Sequence, residues 1–185
     1  MTFRAFIAAD VSAGPPLNAL AADLRDASPS LKVVRSDQLH LTIKFLGDSE
    51  DALVPEIIAA IQDATQGVRP FEVRLEGTGA FPNLARMSVI WVGVEGAEPL
   101  ARIAEALETS LESLGFPQER RPWKAHLTLA RVKGDRELDR ARRILEDHAY
   151  DVFGTSLVDA IVLKKSVLTP EGARYSIVDA VRLMG

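Results

Sequence analysis

The sequence predicts an α+β fold of two pseudo-symmetric lobes, each an antiparallel sheet with flanking helices, which together enclose a central cleft. One observation is that segments with the period-2 alternation of strands are interleaved with segments whose apolar residues recur at helical spacing. A second is that an apolar-His-apolar-Thr-apolar pattern occurs at His40 and again at His126, 86 residues later (126 − 40) in a chain of 185. A repeat at close to half the chain length predicts an internal duplication, with one copy in each lobe of a single domain over residues 1–185.

The first half of the chain alternates strand-like and helix-like segments. A strand over residues 2–9 leads to a helix that begins near Gly14-Pro15-Pro16 and ends at Ser28-Pro29-Ser30, because proline suits the first turn of a helix and interrupts its interior. Further predicted elements are strands over residues 31–34, 39–46, 71–75 and 87–94 and a helix over about residues 51–64. The segment 87–94 is nearly all apolar, which is typical of a central strand.

The second half continues with a helix over about residues 99–114, closed by Gly115, then the second His-Thr strand, then a charged helix from 135 to about 148. Residues 150–183 are predicted to form strands, with a turn at 169–172. The segment 77–83, Gly-Thr-Gly-Ala-Phe-Pro-Asn, is interpreted as a hairpin connection that lines the cleft. It is not a phosphate-binding P-loop, because it lacks the lysine and the following helix.

The composition excludes several classes of function. A hydrophobic content of 47% and a charged content of 26% are those of an ordinary globular protein, and the absence of cysteine excludes disulfides, thiolate metal sites and a cysteine nucleophile. The net charge of −4 argues against wrapping a long nucleic acid, although it allows a small basic mouth. No apolar run is long enough for a membrane span or a signal peptide, so we expect a cytoplasmic protein with no membrane partner. We also expect a monomer.

The two His-Thr patterns carry the predicted chemistry. In a strand, His40 and Thr42 share one face, as His126 and Thr128 do, so two such strands facing one cleft would bring together two imidazoles and two hydroxyls. Imidazoles with pKa values near 6.5 can hold opposite protonation states at neutral pH, and hydroxyls can donate to phosphate oxygens. This predicts acid–base chemistry on a phosphate ester that needs neither a metal nor a cofactor. The residues alone leave open which histidine is the acid.

Two cations compete for the phosphate. Arg131 offers a forked donor at the end of the second pattern, but strict alternation places it on the apolar face. A surface arginine and a phosphate ligand re-aimed by a bulge therefore remain two open interpretations. Lys44 shares the face of His40 and Thr42 and is either the alternative phosphate ligand or a solvated lysine. Further basic residues form either a rim that attracts a phosphate backbone or an ordinary solvated surface: Arg120, Arg121, Lys124 and Lys133.

Two aromatic residues are candidates for stacking on a base next to the reacting end, Trp123 and Phe45. Aromatic residues beside strands usually pack in a core, so we predict packing for Phe45 and leave both interpretations open for Trp123. A zinc site would need a third ligand such as Asp37, Asp48 or His148, none of which stands at a spacing typical of zinc, so no metal is predicted. His148, near the end of a helix, is assigned no chemistry.

The two motifs resemble those of a known superfamily. Residues 39–47, Leu-His-Leu-Thr-Ile-Lys-Phe-Leu-Gly, and residues 121–131, Arg-Pro-Trp-Lys-Ala-His-Leu-Thr-Leu-Ala-Arg, are similar to the paired His-x-Thr-x motifs of the two-histidine (2H) phosphoesterases. Within that superfamily they resemble the RNA 2',3'-cyclic phosphodiesterase branch, also called 2',5'-RNA ligases. Further matches are the N-terminal strand at 4–10, the Gly-x-Gly-x-Phe-Pro segment at 77–82 and residues 168–175, so the resemblance spans nearly the whole chain.

The resemblance implies the 2H phosphoesterase fold and hydrolysis of RNA 2',3'-cyclic phosphate ends, tRNA fragments among them, or of cyclic nucleotides. It implies that His40 is the proton donor and His126 the proton acceptor, and that loss of the 3' oxygen leaves a 2'-phosphomonoester. The reverse chemistry would give ATP-independent 2',5' RNA ligation. The substrate-binding candidates are Thr42, Thr128, Arg131, Lys44 and Trp123.

Two interpretations from other classes remain. A non-catalytic module that binds nucleotides or RNA ends would use the same cleft, but it needs cations rather than a pair of titrating imidazoles. A scaffold protein in which the repeat is purely architectural predicts histidines that point away from each other.

Overall fold

The computed structural model describes residues 1–170 and 172–185. Within them, strands and helices follow in the order β1 (Thr2–Asp10), α1 (Pro15–Ala27), β2 (Leu31–Val33), β3 (His40–Glu50), α2 (Val54–Ala64), β4 (Phe71–Asn83), β5 (Arg86–Glu95), α3 (Glu98–Glu112), β6 (His126–Val132), α4 (Leu138–Asp147), β7 (Val152–Val158), β8 (Ala160–Thr169) and β9 (Gly172–Arg182). Short 3-10 turns at Ser36–Gln38 and Asp51–Leu53 precede β3 and α2.

The strands form two antiparallel sheets. The four-stranded sheet has the order β3-β1-β8-β9, and the five-stranded sheet has the order β2-β6-β5-β4-β7. Each sheet contains one of the His-Thr strands, β3 in the first and β6 in the second, and these two strands contact each other. The predicted α+β architecture of two antiparallel sheets with flanking helices is confirmed.

The helices cover one side of each sheet. α3 packs against β3 and α2, while α4 packs against β4 and α1. The inner side of α3 buries apolar residues at intervals of three and four, as helical periodicity requires: Leu100, Ile103, Leu107 and Leu111. Burial of each such side chain stabilises the fold by about 1.5–3 kcal/mol. The opposite side of each sheet is the one that carries the motif histidine, and we refer to it as the cleft side.

One predicted loop is wrong. Residues 77–83 belong to β4, which pairs with β5 as far as Asn83, so the hairpin connection is only residues 84–85. Glycine is needed at position 79 for packing and not for a turn. Gly79 lies opposite Trp91, and a Cβ there would collide with the indole ring. The predicted turn at 169–172 lies between β8 and β9, and Glu171 within it is outside the described residues.

Candidate active site

An extra residue in β3 reverses the side-chain alternation beyond the first motif. β3 pairs with β1 residue by residue from His40 to Thr42, and the next paired residue is Lys44. Ile43 is therefore left out of the ladder, as the additional residue of a β-bulge. Beyond the bulge, Lys44 turns to the helix side of the sheet and Phe45 turns to the cleft side.

The same irregularity occurs in β6. β6 pairs with β5 from His126 to Thr128, the next paired residue is Ala130, and Leu129 is left out. Each bulge thus falls on the third residue after the motif histidine. The consequence for Arg131 is that it lies on the same side of the sheet as His126 and Thr128, the orientation that the phosphate-ligand interpretation requires.

Both histidines are held by the same local bond. The Nδ1–H of His40 donates to the carbonyl oxygen of Gln38 at 2.8 Å, and the Nδ1–H of His126 donates to that of Lys124 at 3.0 Å. A carbonyl oxygen can only accept a hydrogen bond, so Nδ1 carries the hydrogen in both charge states of each ring. The proton that can be exchanged is therefore on Nε2 in each histidine.

Aromatic rings fix the planes of the two imidazoles. The ring of His40 packs against Phe6, at a centroid distance of 4.9 Å, and against Tyr175, which meets it edge-on at 5.0 Å. The rings of Phe6 and Tyr175 also contact each other, at 5.1 Å. The ring of His126 meets Phe81 edge-on at 5.2 Å, and Phe81 in turn packs on Trp91. Such contacts restrict rotation of the imidazoles without adding charge to them.

Burial and the charges on neighbouring strands shift the pKa of His40. Burial is the largest influence and lowers the pKa of its imidazole, and the charges of Lys164 and Arg131 lower that pKa further. The carbonyl of Gln38 and the carboxylate of Asp10 raise it. The net effect is a lowered pKa, so the imidazole of His40 is favoured in its neutral form at neutral pH in the free protein.

The two motifs lie close together in the fold. β3 and β6 are in contact although they belong to different sheets. The indole N–H of Trp123, just before β6, donates to the carbonyl oxygen of Thr42 in β3 at 2.9 Å. Arg131 in the five-stranded sheet is close enough for its charge to lower the pKa of His40 in the four-stranded sheet. The structure therefore brings His40 and the motif of His126 together, whereas a purely architectural repeat predicts that they point apart.

A sequence model described as the 2'-5' RNA ligase superfamily matches residues 10–166. The chain belongs to this superfamily. It is similar to a protein of Methanothermobacter thermautotrophicus named RNA 2',3'-cyclic phosphodiesterase, with 33% identity over 185 residues that cover 99% of this chain and 100% of the relative. A protein of Aeropyrum pernix with the same name is 36% identical over 146 residues, 78% of this chain and 82% of the relative.

Solved structures share the fold. The crystal structure of TT0787 of Thermus thermophilus superposes with a TM-score of 0.77 at 30% identity and covers 97% of each chain. The crystal structure of E. coli LigT complexed with 3'-AMP superposes with a TM-score of 0.72 at 21% identity and covers 100% of each chain. These similarities agree with the 2H phosphoesterase fold that the motifs imply.

In this member of the superfamily, the prediction that Lys44 shares the face of His40 is wrong. The Lys44 side chain is 1% exposed, and its Nζ donates to Oε2 of Glu108 at 2.6 Å and to the carbonyl oxygen of Pro117 at 2.9 Å. The same Glu108 oxygen accepts the backbone N–H of Glu119 at 2.8 Å. The bulge is the physical reason, since it turns Lys44 away from the cleft. Lys44 instead fastens the segment between α3 and β6 onto β3.

Glu108→Ala is therefore expected to destabilise the protein by about 3 kcal/mol, because it leaves the buried ammonium of Lys44 without its carboxylate. Urea unfolding at neutral pH measures this change. Glu105→Ala on the exposed side of the same helix is the matched control and should change the free energy of unfolding by less than about 0.5 kcal/mol. Equal effects of the two substitutions would show that the Lys44–Glu108 pair does not stabilise the fold.

The aromatic candidates are placed differently from each other. Phe45 is 58% exposed, so the prediction that it packs in the core is wrong, again because of the bulge in β3. Trp123 is partly buried against the core, with its N–H bonded to Thr42, and base stacking by its ring stays a prediction. The basic residues suggested as a rim are all exposed: Arg120, Arg121, Lys124 and Lys133.

The third histidine stands apart from the motifs. His148 follows α4, and its Nδ1 lies 2.7 Å from Oδ2 of Asp151. Among residues 1–170 and 172–185, no group of three or more His, Cys, Asp or Glu residues could hold a metal ion. None of the helices in the described part of the chain is long and apolar enough to cross a membrane.

Motif reasoning missed several residues that surround His40 and His126. Tyr175 and Phe81 pack on the two imidazoles, and Asp10 is the direct cross-strand neighbour of His40. All three lie in the segments 4–10, 77–82 and 168–175 that resemble the family. That resemblance was the sequence signal that could have indicated them. No sequence signal pointed to Lys164, whose Nζ pairs with Asp10.

Proposed function

We propose that this protein is an RNA 2',3'-cyclic phosphodiesterase that opens the cyclic phosphate by acid–base catalysis between His40 and His126. The observation that carries the proposal is the arrangement of the two imidazoles. Each is fixed through Nδ1 by a backbone carbonyl, and the strands that bear them contact each other although they belong to different sheets. The names of the relatives that match nearly the whole chain support the same substrate class.

The proposed reaction is a direct in-line displacement at phosphorus. His126 Nε2 takes a proton from water as the water oxygen bonds to phosphorus, while the bond from phosphorus to the 3' oxygen breaks and that oxygen takes a proton from His40 Nε2. The product is a 2'-phosphomonoester and a free 3'-hydroxyl. Each proton transfer contributes about 10² to 10⁴ in rate, and no covalent intermediate is needed.

Substrate binding would prepare His40 for its role as the acid. In the free protein, burial lowers the pKa of His40 and favours the neutral ring. A bound phosphodiester carries a negative charge next to the imidazole, which acts in the opposite direction and favours the imidazolium form. The donor would thus be charged when substrate occupies the cleft.

The remaining motif residues would stabilise charge on the phosphate. The hydroxyls of Thr42 and Thr128 share the cleft side of their strands with the histidines and would donate to the non-bridging oxygens. Arg131, turned to that side by the bulge, would supply the cation. If the 5'-hydroxyl of a second strand replaces the attacking water, the same proton transfers give a 2',5' linkage without ATP.

A non-catalytic module that binds nucleotides or RNA ends is the less favoured alternative. Such a module has no need for two imidazoles with free Nε2 atoms, and the matching relatives are named as enzymes. RNA ends, tRNA fragments among them, and cyclic nucleotides are the proposed substrates. The cytoplasmic location and the monomeric state stay predictions.

The test is an assay with a short oligonucleotide that ends in a 2',3'-cyclic phosphate, run with and without a chelator. We expect turnover at the same rate in both, and ³¹P NMR of the product should show the 2'-phosphomonoester. Binding without turnover would support the binding module instead. A 3'-phosphate product would overturn the proposed leaving oxygen, and activity lost to the chelator and restored by a metal would overturn the metal-free mechanism.

A further inference from the structure

A buried charged residue lies on the cleft side of the four-stranded sheet, outside both motifs. Lys164 in β8 is opposite Phe6 of β1, on the side of the sheet that carries His40. Its side chain is only 5% exposed, and its Nζ forms an ion pair with Oδ1 of Asp10.

The partner of this lysine is the neighbour of His40. Asp10 ends β1 and is paired directly with His40 across the two strands, so both side chains are on the cleft side. The Asp10 side chain is 47% exposed, so one end of the pair reaches the cleft while the other is buried. A buried ammonium is retained only when a carboxylate compensates it, which fixes the position of Asp10.

We propose that Asp10 and Lys164 are a positioning pair for His40, in which the buried ammonium fixes the carboxylate beside the imidazole and the two opposite charges together set how readily that ring holds a proton. The role in turnover rests on the proposed function, but the placement of the charges does not. Neither residue belongs to the His-x-Thr-x motifs, and they lie 154 positions apart in the chain (164 − 10).

The charges around His40 explain why a pair suits this position. Asp10 from β1 raises the pKa of His40, and Lys164 from β8 lowers it. Further titratable groups near the ring are Arg131 from β6, which also lowers the pKa, and the phenol of Tyr175 from β9. His126 on β6 is the proposed catalytic partner. A catalytic acid must both lose and regain its proton in each cycle. Opposite charges held together favour neither state strongly, whereas one charge alone would.

The pair can be tested by NMR titration of the histidines in the free protein. The chain has three histidines, so the three imidazole signals can be assigned with His126→Ala and His148→Ala. Asp10→Asn should lower the pKa of His40 and Lys164→Met should raise it, each by about half a pH unit or more. Shifts of opposite sign support the pair. Shifts in the same direction, or no shift in either variant, would overturn it.

A matched control separates this effect from net charge. Lys165→Met removes the same charge one residue along β8, where the ammonium lies 5.7 Å from the centroid of the Phe3 ring. It should leave the titration of His40 within about 0.1 pH unit of the wild type, because that side chain is on the other side of the strand. A shift as large as that of Lys164→Met would show a non-specific charge effect and would count against the pair.

A double variant covers the case in which one single variant fails to fold. Asp10→Asn with Lys164→Met leaves no unpaired charge, and its His40 titration should lie above that of Asp10→Asn alone. No difference between these two proteins would remove Lys164 from the proposal. The pH profile of kcat/KM should move in the same directions as the titrations. Because the titrations need no turnover, they decide the pair even if no cyclic phosphate proves to be a substrate.

Discussion

Replacement of His40 or His126 by alanine is expected to lower kcat on a 2',3'-cyclic phosphate by about 10²- to 10⁴-fold in each case. The physical reason is that each imidazole is proposed to exchange one of the two protons in the displacement, and water at neutral pH is a poor substitute for either. Neither side chain belongs to the apolar core, so both variants should remain folded, with the larger loss of thermal stability in His40→Ala because that ring packs on Phe6 and Tyr175. Single-turnover kinetics with saturating enzyme measure the chemical step directly.

The third histidine provides a matched control. His148→Ala makes the same chemical change at a position whose ring pairs with Asp151, and it should leave kcat within about twofold of the wild type. Turnover retained in His40→Ala or in His126→Ala would remove that residue from the reaction. A comparable loss in His148→Ala would mean that the effects come from the fold rather than from the chemistry.

The double variant distinguishes a concerted pair from two independent contributions. If the proton donor and the proton acceptor act in the same step, loss of one already disables the mechanism, so the double variant should be about as slow as the slower single variant. If the two histidines act independently, the losses should multiply. A multiplied loss would contradict the proposal that His40 and His126 act as one unit.

The sequence was sufficient for features that depend on local periodicity. The alternation around His40 and His126 predicted strands with the histidines and threonines on one side, and the two sheets contain both strands as expected. The helical spacing of leucines predicted α3 almost to its ends. These features are fixed by neighbours in the chain, so a pattern in the residues is enough to predict them.

The bulges could not be predicted because no residue type marks them. Ile43 and Leu129 are ordinary apolar strand residues, and only the register of the neighbouring strands leaves them unpaired. Strict alternation therefore assigned Lys44 and Arg131 to the wrong sides of their sheets. Because of the extra residue Ile43, Lys44 is a buried lysine paired with Glu108 and not the phosphate ligand considered from the sequence.

Residues that reach the site from distant strands could not be predicted either. Gly79 was interpreted as part of a loop, because a glycine gives no local sign that it makes room for Trp91 on the next strand. Lys164 is an ordinary member of an apolar strand until β8 is placed beside β1. Sheet order determines these contacts, and sheet order is a property of the whole chain.

Arg131→Ala is expected to lower kcat by about 10²- to 10³-fold, the effect of removing one donor that stabilises charge on a reacting oxygen. The bulge at Leu129 turns the guanidinium to the side of His126, and no carboxylate in the described part of the chain pairs with it. The charge on the phosphate oxygens grows as water adds, so kcat should fall more than KM rises. Steady-state kinetics on the cyclic-phosphate oligonucleotide measure both constants.

Two further variants show whether this loss is specific. Arg131→Lys keeps a charge but not the forked pair of donors, so it should recover only part of the lost kcat. Arg102→Ala, an exposed arginine on α3, removes the same charge from an outer helix and should leave kcat within about twofold of the wild type. If Arg131→Ala behaved like Arg102→Ala, the guanidinium would be a surface charge, and stabilisation of the phosphate would rest on Thr42 and Thr128 alone.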